Sequence, residues 1–146
     1  MASLFVIVLA HEFGHCLACR WSGGSADEIL MWPLGGLAMC QPVNHWKSHF
    51  ITAVGGPLVN VILCVVTGLA LGLLSGHWLG VALPNPVKPF DALFEPEIAR
   101  SWTLMTLVIV HSTSLILLLF NLLPMFPLDG GRIMQTLLWP RIGYRR

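Results

Sequence analysis

Three long apolar runs frame the chain, and polar residues interrupt them at only a few places. The first, residues 2–19, is about long enough as a helix to cross a hydrocarbon core of roughly 30 Å at ~1.5 Å per residue. Arg20-Trp21 close it with a charge and an interfacial aromatic. Residues 22–28 read as a polar turn. Residues 29–41 are apolar again, but too short to span and broken by Pro33 and Gly35-Gly36, which predicts a two-stranded hairpin. Residues 50–83 exceed one span and fall short of two with a turn, so one long or broken helix is expected, spanning at about residues 55–80. Gly68, Gly72, Gly76 and Gly80 recur there at every fourth position, a stripe that admits a neighbouring backbone. Residues 84–97, with Pro84, Pro86, Pro89, Pro96 and the acidic Asp91, Glu95 and Glu97, predict a surface connection. The third span covers residues 102–123, and Pro124 and Pro127 break it. Residues 132–146 read as a short interfacial helix with a basic tail.

The pattern thus predicts an α-helical membrane protein: three core transmembrane helices (2–19, 55–80, 102–123) and a small membrane-associated β-hairpin (29–41), in one domain over residues 1–146. Composition agrees, with 55% hydrophobic and 10% charged residues and a mean hydropathy of +0.76, where soluble domains carry roughly a quarter charged residues. A net charge of +1 without a basic stripe excludes an electrostatic nucleic-acid binder. Cys16, Cys19, Cys40 and Cys64 lie in or beside apolar stretches and read as small apolar residues; Cys16 and Cys19 form a CxxC, but without the βαβ context of a redox motif. No basic leader precedes the first span, so no cleavable signal is expected, and a chain opening directly in its principal helix reads as truncated at the N-terminus or as lacking an earlier helix. Arg20, Lys47, Arg132, Arg141, Arg145 and Arg146 alternate onto one side of the membrane, against Lys88 and Arg100 on the other. The richer side is expected to be cytoplasmic.

Chemistry enters where polar groups sit in apolar surroundings. His11-Glu12-Phe13-Gly14-His15 places two imidazoles one helical turn apart, able to bind one metal ion, with a carboxylate between them. Such groups are costly in a membrane unless they face a partner, an ion or a water-filled cavity. Asn60, the strongly polar side chain early in the second span, is expected to face inward. Asp129, between Leu128 and Gly130-Gly131, is expected to be presented from irregular backbone, which at membrane depth survives only if buried in protein or lining a cavity. His15 and Asp129 lie toward the same side, as a shared metal requires. His45 and His49, next to Trp46 and Lys47, read as interfacial anchors, with a second metal site as the minor alternative. His111, beside Ser112, Thr113 and Ser114, reads as a group bonding across helices.

HEFGH in the first span, PLGGLA in the hairpin, GGPLVN opening the second helix and NLLPMFPLDGGR after the third together resemble the site-2 protease family of intramembrane zinc metalloproteases, peptidase family M50. The resemblance runs from His11 to Arg132. It implies zinc held by His11, His15 and Asp129, Glu12 as general base, and Asn60 and Asn121 as polar groups near the reacting carbonyl. It implies too a membrane-anchored protein substrate, an integral multi-pass protein in the bilayer, and an active site toward the cytoplasmic side. The extra helices, PDZ insertion or CBS domains of some members have no counterpart in these residues. Independently of the family, two imidazoles and a carboxylate leave the fourth tetrahedral position of zinc to water, whose pKa falls to about 7, and Glu12 can take its proton during attack on a peptide carbonyl. The hairpin is either a lid or an edge that takes up an extended peptide by strand addition. Two rivals remain: a non-catalytic scaffold or metal-binding protein keeping the fold, for which an intact Glu12 has no use, and a soluble zincin, which has no use for the apolar spans.

Overall fold

In a computed structural model, described here for residues 2–32, 35–76 and 89–142, the chain runs α1 (Ala2–Trp21), β1 (Ser25–Trp32), β2 (Gly35–Gln41), α2 (Trp46–Ser75), a 3-10 turn (Asp91–Phe94), α3 (Pro96–Ala99), α4 (Trp102–Asn121) and α5 (Asp129–Ile142). Three of these helices are long and apolar enough to cross a bilayer: Ser3–Trp21 of α1, α2 and α4. A helix satisfies every backbone group within itself, which lipid demands. Phe5, Phe13, Leu17, Ile62, Val65 and Leu73 stand exposed on these helices, an apolar surface of the kind a bilayer would cover. The expected helical membrane fold with a two-stranded hairpin is what the chain adopts.

Element bounds depart from expectation for local reasons. The hairpin begins at Ser25, inside the stretch read as a polar turn. A register irregularity between Ala26 and Glu28 lets Ala26 pair with Cys40 and be buried while Asp27 stays exposed, so the strand lacks the alternation that marks one in sequence. Pro33-Leu34 lie outside the described residues. The second helix starts at Trp46 rather than near residue 55. Its polar first turn is held by Ser48, whose hydroxyl lies 2.8 Å from Ser22 Oγ and accepts the Val43 N–H at 3.2 Å. It ends at Ser75 because Gly76, expected in the packing stripe, adopts φ +70°, the left-handed conformation that terminates helices. Gly80 is outside the described residues. The proline-rich segment is more than a surface connection: its described part forms the 3-10 turn and α3, and Ile98 is buried. The third span stops at Asn121, before Pro124. Asp129 is not on irregular backbone but opens α5.

By packing, the chain divides into two units. One, Met1–Ile7 with Asn60–Leu118, has an apolar core of Leu71, Ile98 and Val108. His111 is buried in it, its Nδ1 2.9 Å from Thr67 Oγ1, and Ser112 Oγ donates to the Pro89 carbonyl at 2.6 Å. His111 therefore links α4 to α2, as expected. The other unit, Val8–Val59 with Leu119–Arg146, contains the hairpin and α5. Arg20 donates from Nε and Nη2 to the Ala26 carbonyl at 3.1 and 2.7 Å, tying the end of α1 to β1. Gly14 and Gly55 face each other so closely that a Cβ on either would strike the other's backbone, which lets α1 and the first half of α2 touch main chain to main chain.

Candidate metal centre

The second unit brings three donors together. Helical spacing stacks His11 over His15 with ring centroids 4.8 Å apart and planes at 86°. Asp129 arrives from 118 residues away through the bend after α4. That bend, residues 122–128, closes with short backbone bonds, Met125 N–H to the Leu123 carbonyl at 2.7 Å and Leu128 N–H to the Met125 carbonyl at 2.9 Å. The Phe126-Pro127 peptide is cis. Gly130 and Gly131 press on it: a Cβ at Gly130 would strike the Leu122 and Leu123 carbonyls, and one at Gly131 would lie 2.7 Å from the Met125 oxygen. The two glycines after Asp129 are therefore required by the approach of α5 to the bend. Asp129 also sits in the first turn of α5, where the helix dipole favours an anion.

The three donor atoms form a nearly equilateral triangle: His11 Nε2 to Asp129 Oδ2 is 3.1 Å, His15 Nε2 to His11 Nε2 is 3.2 Å, and His15 Nε2 to Asp129 Oδ2 is 3.3 Å. Donors bound tetrahedrally to zinc at about 2.0–2.1 Å stand about 3.3–3.4 Å apart, so the triangle already has the dimensions of one tetrahedral face. All three residues are buried, at 5%, 6% and 7% exposure. Burial pushes the Asp129 carboxyl up, and the neighbouring His11 and His15 rings overcome that, holding it well below the usual carboxylate range. The donor set and its spacing fit a divalent metal, and among the described residues this is the group of three that does.

Two residues of α2 that sequence reasoning did not single out complete the surroundings. His15 Nδ1 lies 2.7 Å from the Thr52 carbonyl oxygen and 3.3 Å from the Gly56 nitrogen. A Cβ at Gly56 would stand 2.6 Å from His15 Cε1 and 2.7 Å from His11 Cε1, so the glycine is a notch filled by the two ring edges. Thr52 carried no sequence signal, because its backbone acts; Gly56 was visible only as part of Gly55-Gly56-Pro57.

Of the remaining candidates, Glu12 is half-buried beside His11, Asn60 is wholly buried in α2, and Asn121 is half-buried at the end of α4. His45 stacks on Trp46 at 6.1 Å, Lys47 Nζ lies 5.7 Å from the Trp46 ring, and His49 meets Trp139 edge-on at 5.2 Å. These aromatic contacts suit interfacial anchors. Cys16, Cys19 and Cys40 pack together with Ala26, and all four cysteines are free. Burial first, and the neighbouring thiols second, push the Cys40 thiol up to about 12, so it stays neutral and packs as a small apolar group.

The chain is similar to known proteins along nearly its whole length. It is 34% identical over 141 residues to Rip3 of Mycobacterium tuberculosis, covering 96% of this chain and 31% of that protein. To a zinc metalloprotease of Methanocaldococcus jannaschii it is 32% identical, covering 97% of this chain and 34% of that one. The solved site-2 protease from Methanocaldococcus jannaschii superposes with a TM-score of 0.61 at 31% identity, over 98% of this chain and 55% of that structure. The chain thus spans about a third of the length of these curated relatives. The sequence model of peptidase family M50 matches residues 1–145, which takes in both histidines, the second helix and the aspartate of the triangle; the chain belongs to that family.

Proposed function

We propose that this chain is the catalytic core of an intramembrane zinc metalloprotease of the site-2 type, cutting peptide bonds within or near transmembrane segments of membrane-anchored proteins. The observation that carries the reading is the buried 3.1–3.3 Å triangle of His11, His15 and Asp129. These residues would hold the ion through Nε2, Nε2 and a carboxylate oxygen. Zinc, when bound, supplies a Lewis acid and lowers the pKa of water to about 7. The protein's own groups do the rest. Glu12, next to His11 in α1, accepts the proton of the attacking water and delivers it to the leaving amine as the C–N bond breaks, so that one water is consumed and a carboxyl and an amine end are formed. Asn60 and Asn121 serve as polar groups near the reacting carbonyl. The excess of Lys and Arg on one side of the spans supports a site toward the cytoplasm.

A helical substrate has its carbonyls tied up in its own bonds, so it must unwind before cleavage. The antiparallel pair of β1 and β2 offers an edge on which an extended peptide can pair. Replacing the hairpin by a short linker, with metal retained, should lower cleavage of helical substrates far more than of preformed extended peptides; equal loss rules this route out.

The assignment is tested by zinc content and cleavage of a membrane-spanning substrate, with wild type, Glu12→Gln and Asp129→Ala purified side by side. Glu12→Gln should keep about one zinc and lose cleavage, and Asp129→Ala should lose both. A wild type that binds zinc but never cleaves would return the chain to the scaffold reading. One that binds no metal would refute the site.

A further inference from the structure

His15 has two close neighbours at one nitrogen, and they ask for opposite things. The Thr52 carbonyl oxygen, 2.7 Å from Nδ1, can only accept, so it requires a proton on Nδ1. The Gly56 N–H, 3.3 Å away, can only donate, so it requires a lone pair there. Distance decides between them, because a lone pair facing a carbonyl oxygen at 2.7 Å would be repelled where a proton makes a short bond. Gly56 also has another acceptor to hand, since in a continuous α-helix its N–H points at the carbonyl four residues back, that of Thr52. The proton therefore belongs on Nδ1, which leaves the lone pair on Nε2, the atom 3.2 Å from His11 Nε2 and 3.3 Å from Asp129 Oδ2.

From this geometry we infer that the backbone carbonyl of Thr52 is a positioning group of the metal centre: it fixes His15 in the Nδ1-protonated tautomer and aims its Nε2 lone pair at the triangle. The inference rests on the reading of His15 as a ligand and adds the group that orients it. Outer partners of ligating histidines act in this way, and their loss costs about 10–100-fold in metal affinity. Thr52 is itself held in place, because its Oγ1 donates to the Ser48 carbonyl at 2.8 Å while Ser48 Oγ accepts the Val43 N–H and contacts Ser22. The orienting carbonyl is thereby anchored to the turn that follows α1, the helix that carries the ligand.

Side-chain substitution leaves a carbonyl in place, so the test exchanges the backbone. Replacing Ala53 by lactic acid, the α-hydroxy acid with the same side chain, turns the 52–53 amide into an ester and makes the Thr52 carbonyl a poorer acceptor without touching a side chain. The control places the hydroxy acid counterpart of Val54 at position 54. That weakens the Ala53 carbonyl, whose helical donor four residues on would be Pro57, which has no N–H. Both esters remove one helical N–H, and the position-53 ester also weakens the acceptor of the Gly56 N–H, so it should melt somewhat lower, and zinc affinities are compared well below both melting temperatures. Zinc affinity of the whole chain in detergent is read by chelator competition, and the His15 tautomer by the imidazole nitrogen signals of side-chain-labelled protein. The expected result is an affinity about 10–100-fold lower for the position-53 ester, with a weakened Nδ1–H signature, and neither change for the position-54 ester. Equal affinities and an unchanged Nδ1–H signal in the two esters overturn the inference while leaving the metal site intact. A wild type that takes up no zinc overturns both this inference and the reading beneath it.

Discussion

Adding one methyl group at Gly56 is the sharpest test of how the metal centre is built. In Gly56→Ala the new carbon would lie 2.6 Å from His15 Cε1 and 2.7 Å from His11 Cε1, where carbon atoms ordinarily meet at about 3.5–4.0 Å. The shortfall is about 1 Å on both imidazoles at once, and the rings cannot share it with a soft neighbour, since they meet each other edge-on and His15 is tied to the Thr52 carbonyl. Metal sites tolerate about 0.2 Å of error in donor position, so a ring displaced by even half that shortfall leaves the triangle. Fold stability should respond far less. Overpacking costs about 1–3 kcal/mol, while alanine in place of a mid-helix glycine returns up to ~1 kcal/mol of helix propensity. The expected variant is thus folded, helical by circular dichroism, and at least about 100-fold weaker for zinc and slower in cleavage, the scale of a 1 Å misplacement. Gly76→Ala is the comparison: a Cβ there meets nothing within 4 Å and is strained only by its φ of +70°, at about 1–2 kcal/mol, with zinc affinity unchanged. If Gly56→Ala binds zinc within about threefold of wild type, on the scale where 1.4 kcal/mol is tenfold, the notch does not shape the site.

Other substitutions separate the bend, the core and the centre. Gly130→Ala would drive a Cβ into the Leu122 and Leu123 carbonyls and push the start of α5 away from the bend, so zinc binding should be lost with α1 and α2 unchanged; retained stoichiometric zinc refutes this account of the glycine pair. Thr67→Val should cost about 0.5–1.5 kcal/mol in thermal unfolding by removing the hydroxyl that bonds His111 Nδ1, whereas Thr67→Ser should cost less, and neither should alter zinc affinity. A fall in zinc affinity with Thr67→Val would show that this contact serves the metal rather than the core.

What the sequence made legible follows from which interactions are local. His11 and His15 declare their pairing because helical spacing alone stacks them, and the spans are readable because lipid imposes length and apolarity. Asp129 is different: its solitary carboxylate marked it as a site residue, yet its place at the start of α5 depends on Gly130 and Gly131 fitting against the carbonyls of the bend, which no periodicity encodes. The early start of α2 was hidden for a related reason. Polar residues at 45–49 resemble a loop until Ser48 is seen to bond Ser22 and the Val43 backbone. Thr52 is illegible in principle, since any residue would carry the carbonyl that His15 meets. The register irregularity after Ala26 broke the alternation by which β1 would have announced itself.

The charge content of the centre leads to a last prediction. Asp129 and Glu12 bring two formal negative charges to the centre, where the triangle residues are buried to within 7%. Negative charge in buried surroundings is costly, and a divalent cation offsets it. Zinc should therefore contribute to the fold as well as to catalysis, and chelation should lower the melting temperature of the wild type in detergent. Binding to the native state alone would produce some such drop whatever the charges, so the discriminating comparison is Glu12→Gln. That change removes one negative charge, relieving the empty site and leaving the filled one with less charge to offset the cation. Both effects act in the same direction: the variant should still bind zinc stoichiometrically, yet lose fewer degrees than the wild type on chelation. Equal drops for the two proteins would mean that charge cancellation by Glu12 plays no part, and a larger drop for the variant would reverse the sign of the argument.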